Sequence, residues 1–192
     1  QNESLRGVVQ ILLRSLIGNE LELVLAKDHL GNTPLHIAVT REKNITKVIK
    51  PLLEYGANVA CTNKKKQTPL HLAAFKGNFD TIAYLCSDRV GADVWAEDEG
   101  GRTPLHCVLY CSPGASGFSL GSTLVISITE LLAKHVGIRR RSSYYNKPDM
   151  EGMTPFLLSC STFGTATMNY FLKLPFINVD AVSRNGDTAL HI

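Results

Sequence analysis

The stretch "KKQTPLHLAAFKGN", Lys65 to Asn78, decides how this chain is read. Thr68 stands where a helix wants its N-cap, and Pro69 takes the first helical position, where a missing N–H costs nothing. His71 is the third helical residue, whose backbone N–H the threonine oxygen can accept. A short apolar run follows, and Gly77 can end it in a left-handed conformation that other residues resist. Beyond the glycine, Phe79, Ile82, Ala83, Leu85 and Cys86 recur at helical spacing and predict a second helix with one apolar face. Helices this short do not stand alone in water, so the pair needs neighbours to lean on.

The same phrase supplies those neighbours. It returns at Thr33–His36 and Thr103–His106, and in altered form as "TPFL" from Thr154 and "TALH" from Thr188; the five threonines are 35, 35, 51 and 34 residues apart. Asp28, Asp98 and Asp149 lie five residues before their threonine, Gly31, Gly101, Gly152 and Gly186 two before, and "GAN" at Gly56 and "GAD" at Gly91 close the first two units. This pattern resembles the ankyrin repeat, a unit of about 33 residues made of a turn and two antiparallel helices with T-P-L-H-x-A in its signature. The resemblance implies an all-α solenoid of stacked helix-turn-helix units with β-hairpin-like fingers. Its divisions are a degenerate N-terminal repeat or cap at 1–27, repeats at 28–62, 63–97, 98–148 and 149–182, and the start of another at 183–192.

Departures from the repeat carry their own expectations. From threonine to closing glycine the first two units measure 23 residues, longer than the family's habit, so the second helix or its exit is expected to be extended. Pro51 falls inside the first of these second helices and is expected to kink or break it. "CSPGASGFSLGS", Cys111 to Ser122, reads as a flexible loop between the helices of the third unit. "GIRRRSSYYNKPDMEG", Gly137 to Gly152, reads as a lengthened finger, and the fourth unit has Phe156 and Leu157 where the others have Leu and His. Ser4 to Lys27 resembles a worn preceding unit, and "GDTALHI" begins a unit whose apolar face more chain is expected to cover.

Composition bounds the function classes. An apolar share of 44% is enough to build a core, and a net charge of +3 is too small to imply a general grip on nucleic acid or acidic membrane. Cys61, Cys86, Cys107, Cys111 and Cys160 are odd in number and form no CxxC pair, which spells neither a disulfide framework nor a zinc ribbon. A reducing intracellular home is expected, the cytoplasm first and the nucleus second. "VVQILLRSLIG" is interrupted by Arg14, so no membrane span is expected in this stretch; the opening on Gln1 and the stop at Ile192 read as a fragment of a longer protein.

Recurrent His36, His71, His106 and His191 invite a metal or catalytic reading, but one such residue per unit spreads them along the stack, and a structural hydrogen bond is the simpler role. Cys107 and Cys111 are helical neighbours beside His106, yet a fourth ligand is missing and buried cysteine packs as a small hydrophobe. No phosphate loop, nucleophile elbow or HExxH is present. The chain is therefore expected to be a monomeric protein-binding module, not an enzyme, with no catalytic residue, metal or cofactor.

Proteins resembling this one bind partners on the concave side built from fingers and first helices. Carried over residue by residue, that surface comprises Thr62, Lys64, Lys65 and Gln67 before the second unit and Trp95, Glu97, Glu99 and Arg102 before the third. The first helices add Phe75 and Lys76 in the second unit, and Thr40 and Arg41 in the first. Trp95 has two readings, an interface anchor or a ring packed on the adjacent finger. "IRRRSSYYNKPD" likewise is either a solvated mobile loop or, through Arg139, Arg140, Arg141, Tyr144 and Tyr145, a patch suited to an acidic peptide or to phosphate. Arginines before Ser142 and Ser143 also resemble a basophilic kinase site. Within the family the irregular inserts resemble inhibitors of NF-κB-type transcription factors. Other readings are the targeting segment of a ubiquitin ligase or the cytosolic array of an ion channel. Duplex nucleic acid is disfavoured because Glu97, Asp98 and Glu99 interrupt the basic fingers.

Overall fold

A computed structural model describes residues 20–41, 47–110, 121–162 and 164–192. Among them there is no strand. The helices are α1 (Glu20–Leu25), α2 (Pro34–Arg41), α3 (Ile49–Glu54), α4 (Pro69–Phe75), α5 (Phe79–Cys86), α6 (Pro104–Leu109), α7 (Ser122–Lys134), α8 (Arg141–Tyr145), α9 (Pro155–Thr162) and α10 (Gly164–Leu172). A 3-10 turn, Ile138–Arg140, precedes α8. The worn unit expected at Ser4 to Lys27 falls mostly outside the described residues, as does the loop from Cys111.

Two rows of helices make the body. The first helices α2, α4, α6 and α9 lie one against the next, α5, α7 and α10 form a second row, and α2–α3, α4–α5, α6–α7 and α9–α10 pair between the rows. The repeated phrase explains the first row. Two residues after each threonine stand Leu35, Leu70 and Leu105, all with no exposed surface, and Phe156 at 3%. Burying one such side chain stabilises by about 2 kcal/mol, so the stack rests on a file of near-identical contacts. Ile82, Leu85, Val125, Ile128, Leu132 and Phe171 give the second row its matching apolar face.

The departures resolve individually. Pro51 does not kink a helix, because α3 begins at Ile49 and holds the proline within its first turn, where an N–H has no helical partner anyway. After α5 the chain closes a turn through Val90 N–H and Gly91 N–H to the Ser87 carbonyl, and this lengthens the exit of the second unit. The expected mobile finger from Gly137 is instead ordered into the 3-10 turn and α8.

Five fingers share one backbone plan. At Asp28, Asn63, Asp98, Asp149 and Ser183 the backbone N–H donates to the carbonyl four residues on, at Asn32, Gln67, Arg102, Met153 and Asp187. The side-chain oxygen of the same residue accepts the N–H groups two and four residues on in every finger. Adjacent tips are then stitched in constant register: Lys64 N–H to Leu30 O at 2.9 Å, Glu99 to Lys65 at 3.0 Å, Met150 to Gly100 at 2.8 Å and Arg184 to Glu151 at 2.7 Å. The approach is close. At Gly152, φ is +74° and a Cβ would meet Arg184 N at 2.7 Å, so this tip needs glycine for both conformation and space.

Candidate docking surface

Histidine joins each unit to the next. In α4, Thr68 N–H donates to His71 Nδ1 at 3.1 Å while Thr68 Oγ1 lies 2.8 Å from the same atom. With Nδ1 accepting, Nε2 carries the proton and donates to the Arg102 carbonyl at 3.0 Å. His36 does the same to Gln67 O and His106 to Lys147 O, each at 3.0 Å. All three imidazoles are fully buried. Burial holds their pKa values down, that of His106 to about 4, so they stay neutral. The fourth unit has Leu157 in this place and forms no imidazole bond to its neighbour.

The face exposed by fingers and first helices combines cations with apolar surface. Lys64, Lys65 and Lys66 are all exposed at the second tip, and none enters an ion pair found among the described residues. Lys66 has φ 55°, the left-handed conformation that Gly31, Gly101, Gly152 and Gly186 adopt in the other four fingers. Thr62 is exposed, and its carbonyl accepts Lys27 Nζ at 2.9 Å. Gln67 is half-buried and occupied, with its carbonyl on His36 and its side-chain oxygen on Asn63 Nδ2 at 3.2 Å. On the helices, Phe75 and Ile37 remain 37% and 39% exposed, Lys76 and Arg41 are exposed, and Thr40 donates its hydroxyl to Ile37 O.

Toward the third and fourth units the side chains are committed to one another. Glu97 is exposed but pairs with Lys147 Nζ at 2.9 Å, while Glu99 is exposed and unpaired in the described ion pairs. Arg102 spreads over the Tyr110 ring at 4.4 Å and sits 3.8 Å from the buried Asp149 carboxylate, which accepts the Tyr110 hydroxyl at 2.7 Å. That hydrogen bond and burial push the Tyr110 phenol well above its ordinary pKa, burial being the larger cause. Trp95 is half-buried, edge-on to Tyr144 at 5.0 Å, with the Arg140 guanidinium over its other surface at 4.5 Å. Arg141 is half-buried and donates Nε–H to Ala133 O at 3.2 Å; Arg139 is exposed.

Tyr144 and Tyr145 correct the expectation that both face a partner. They are 0% and 3% exposed. Tyr145 stands nine residues before Thr154, where Val59 and Val94 stand before their own threonines against the core, so it fills the unit's inward apolar position and packs on Phe171 and Phe176. Tyr144 fills the space between Trp95 and Tyr145.

Comparison with known proteins identifies the repeat. Residues 41–115 match a model described as ankyrin repeats in three copies. The matched residues are ankyrin repeats. Human NF-kappa-B inhibitor zeta is 26% identical over 97% of the chain, which spans 28% of that protein's length. Human transient receptor potential cation channel subfamily A member 1 is 34% identical over 57% of the chain and 9% of its own length. Fowlpox virus putative ankyrin repeat protein FPV024 is 40% identical over 43% of the chain and 13% of its own.

Within this ankyrin array, sequence reasoning missed Lys66 and Tyr110 as organising residues, and read Asp149 only as a repeated letter of the finger. Lys66 was legible, since it stands two residues before Thr68 where the other units have glycine. The Tyr110–Asp149 bond spans 39 residues and has no local signature. Cys86 and Cys107 are buried, with thiol pKa values pushed up to about 12, and act as small hydrophobes; Cys111 lies outside the described residues. No group of three or more His, Cys, Asp or Glu suited to a metal occurs among the described residues, and none of the described helices is long and apolar enough to cross a membrane.

Proposed function

We propose that the array is a protein-docking scaffold whose partner lies across the fingertips and first helices, and that the partner is an NF-kappa-B protein. One observation carries the reading: a surface fixed by tip-to-tip backbone bonds leaves Ile37 and Phe75 more than a third exposed, and the lysines of the second tip enter no ion pair found among the described residues. Apolar area on a preorganised frame is what association rewards, because little ordering entropy is left to lose. The likeness to NF-kappa-B inhibitor zeta over 97% of the chain supports the choice of partner. The reading assigns no catalytic residue. It places the array inside the cell, in the cytoplasm or secondarily the nucleus, and the unpaired Cys61, Cys86, Cys107 and Cys160 support a reducing compartment.

The test is calorimetric titration of purified NF-kappa-B subunits into the wild-type chain and into a variant carrying Ile37→Asp and Phe75→Asp. Both sites are partly exposed, so the fold should survive, and affinity should fall by about a hundredfold if these side chains anchor the interface. Equal affinity for both chains rejects the face. A second reading, the cytosolic array of a cation channel, draws on the 34% identity to the channel subfamily member. It predicts a membrane-spanning region in the same full-length transcript and no titratable NF-kappa-B binding.

A further inference from the structure

We infer that the second fingertip, Lys64 to Lys66, is a receptor for an acidic segment of the partner protein, an inference that rests on the scaffold reading and names the chemistry of one part of its interface. The three ammonium groups are exposed, and no ion pair found among the described residues uses them. Their backbone groups, by contrast, are spent on the fold: Lys64 N–H on Leu30, Lys65 O on Glu99, Lys66 N–H on Asn63. The side chains are thus held at a fixed tip while their charges remain unanswered.

Lys66 adds an independent observation. Four fingers solve the left-handed position with glycine, and this one solves it with a lysine at φ 55°. A residue with a Cβ is strained there. The fold would accept glycine at this position more readily, so the third cation is the feature that folding does not account for. Two further cations belong to the same unit or its edge, Lys27 at the foot of the finger through Thr62 O and exposed Lys76 at the end of α4.

The shape of the charge selects the occupant. On one side the tip residues are His29 and Leu30; on the other stand Glu97 and Glu99. Three exposed lysines therefore cluster at one tip, whose backbone is bonded directly to the neighbouring tips that carry Leu30 and Glu99. A nucleic-acid backbone needs a stripe that continues along the strand, and exposed Glu99 at the next tip would repel it. A short run of Asp or Glu fits within one finger. Lysines are compact charges on flexible stems, which suits carboxylates presented without a fixed geometry.

The experiment titrates a short fluorescein-labelled polyglutamate peptide against the whole chain by anisotropy, at low and at physiological salt, beside a fluorescein-labelled DNA duplex. The expected result is peptide binding that weakens with salt and falls by about tenfold in Lys64→Glu/Lys65→Glu. Lys66→Gly separates charge from structure, since relief of strain should raise the thermal midpoint while peptide affinity drops. Unchanged peptide affinity in Lys66→Gly and Lys64→Glu/Lys65→Glu overturns the inference, and so does duplex binding as tight as the peptide's. If these lysine variants leave the peptide untouched while Ile37→Asp/Phe75→Asp abolishes NF-kappa-B binding, the scaffold stands and the acidic receptor falls. Lysine-dependent peptide binding in a chain that does not bind NF-kappa-B retains the receptor and rejects that partner.

Discussion

Two basic triplets, Lys64–Lys66 and Arg139–Arg141, look alike on paper and do opposite things in the molecule. Arg140 covers the Trp95 ring and Arg141 donates to the Ala133 carbonyl, while Tyr144 and Tyr145, just beyond, are sunk into the core. Arg140 and Arg141 are fastenings for an inserted helical turn. The lysines sit on a tip whose backbone already carries the structure, and their charges are left over. A charge run is therefore informative only once its side chains have been followed to their partners: planar guanidinium groups on an aromatic cluster cement it, whereas ammonium groups on a rigid turn face outward.

The contrast breaks most readily at Tyr144. Its ring is fully buried between Trp95 and Tyr145. Tyr144→Ala should destabilise the fold by about 3–5 kcal/mol, read as a lowered urea midpoint, through loss of buried area and the cavity left behind. The polyglutamate affinity of the molecules that remain folded should be unchanged. A variant that kept its stability while losing peptide binding would mean the arginine insert, not the lysine tip, is the receptor.

Acid probes the joints beneath both triplets. His36 pins the lysine finger through Gln67 O, and His106 pins the chain just after the arginine insert through Lys147 O. Burial holds the pKa of each below the ordinary value, so below pH 6.5 the unfolded chain binds more protons than the folded one, for His106 down to about pH 4. Stability from His106 is fully present above pH 6.5, falls as pH drops and is gone below about pH 4. The neighbours, buried Asp149 and half-buried Lys147, bear on that ring with opposite signs, the carboxylate opposing the shift and the ammonium adding to it. The loss should amount to roughly 3 kcal/mol for His106. Denaturant midpoints between pH 7 and pH 4 check it, and His106→Gln should flatten the profile.

How much of this was legible in the sequence follows from how local each cause is. The Thr-Pro-Leu-His phrase sets cap, helix start and inter-unit bond within four residues, so the helix rows could be read directly. The inward role of Tyr145 was also available, from its offset to Thr154 and the valines at that offset elsewhere. The pairing of Arg140 with Trp95 was not, because it joins residues 45 apart through an insert that no other unit has. Charge and exposure were equally opaque for Glu97, whose partner Lys147 lies on the next finger, beyond the inserts of the third unit.

The finest test sets one substitution in each triplet side by side. Arg140→Ala removes a cation held 4.5 Å from an indole ring, and contacts of this kind contribute about 0.5–1 kcal/mol where part of the surroundings is wet. Lys65→Ala removes an exposed ammonium with no ion-pair partner among the described residues, so its stability should shift by no more than about 0.5 kcal/mol. Peptide affinity should reverse the order, falling in Lys65→Ala and holding in Arg140→Ala. The sign of the crossing matters more than either size. If Arg140→Ala cost nothing in stability and Lys65→Ala nothing in binding, the two triplets would be the same kind of solvated charge, and the difference drawn between fastening and receptor would have no physical content.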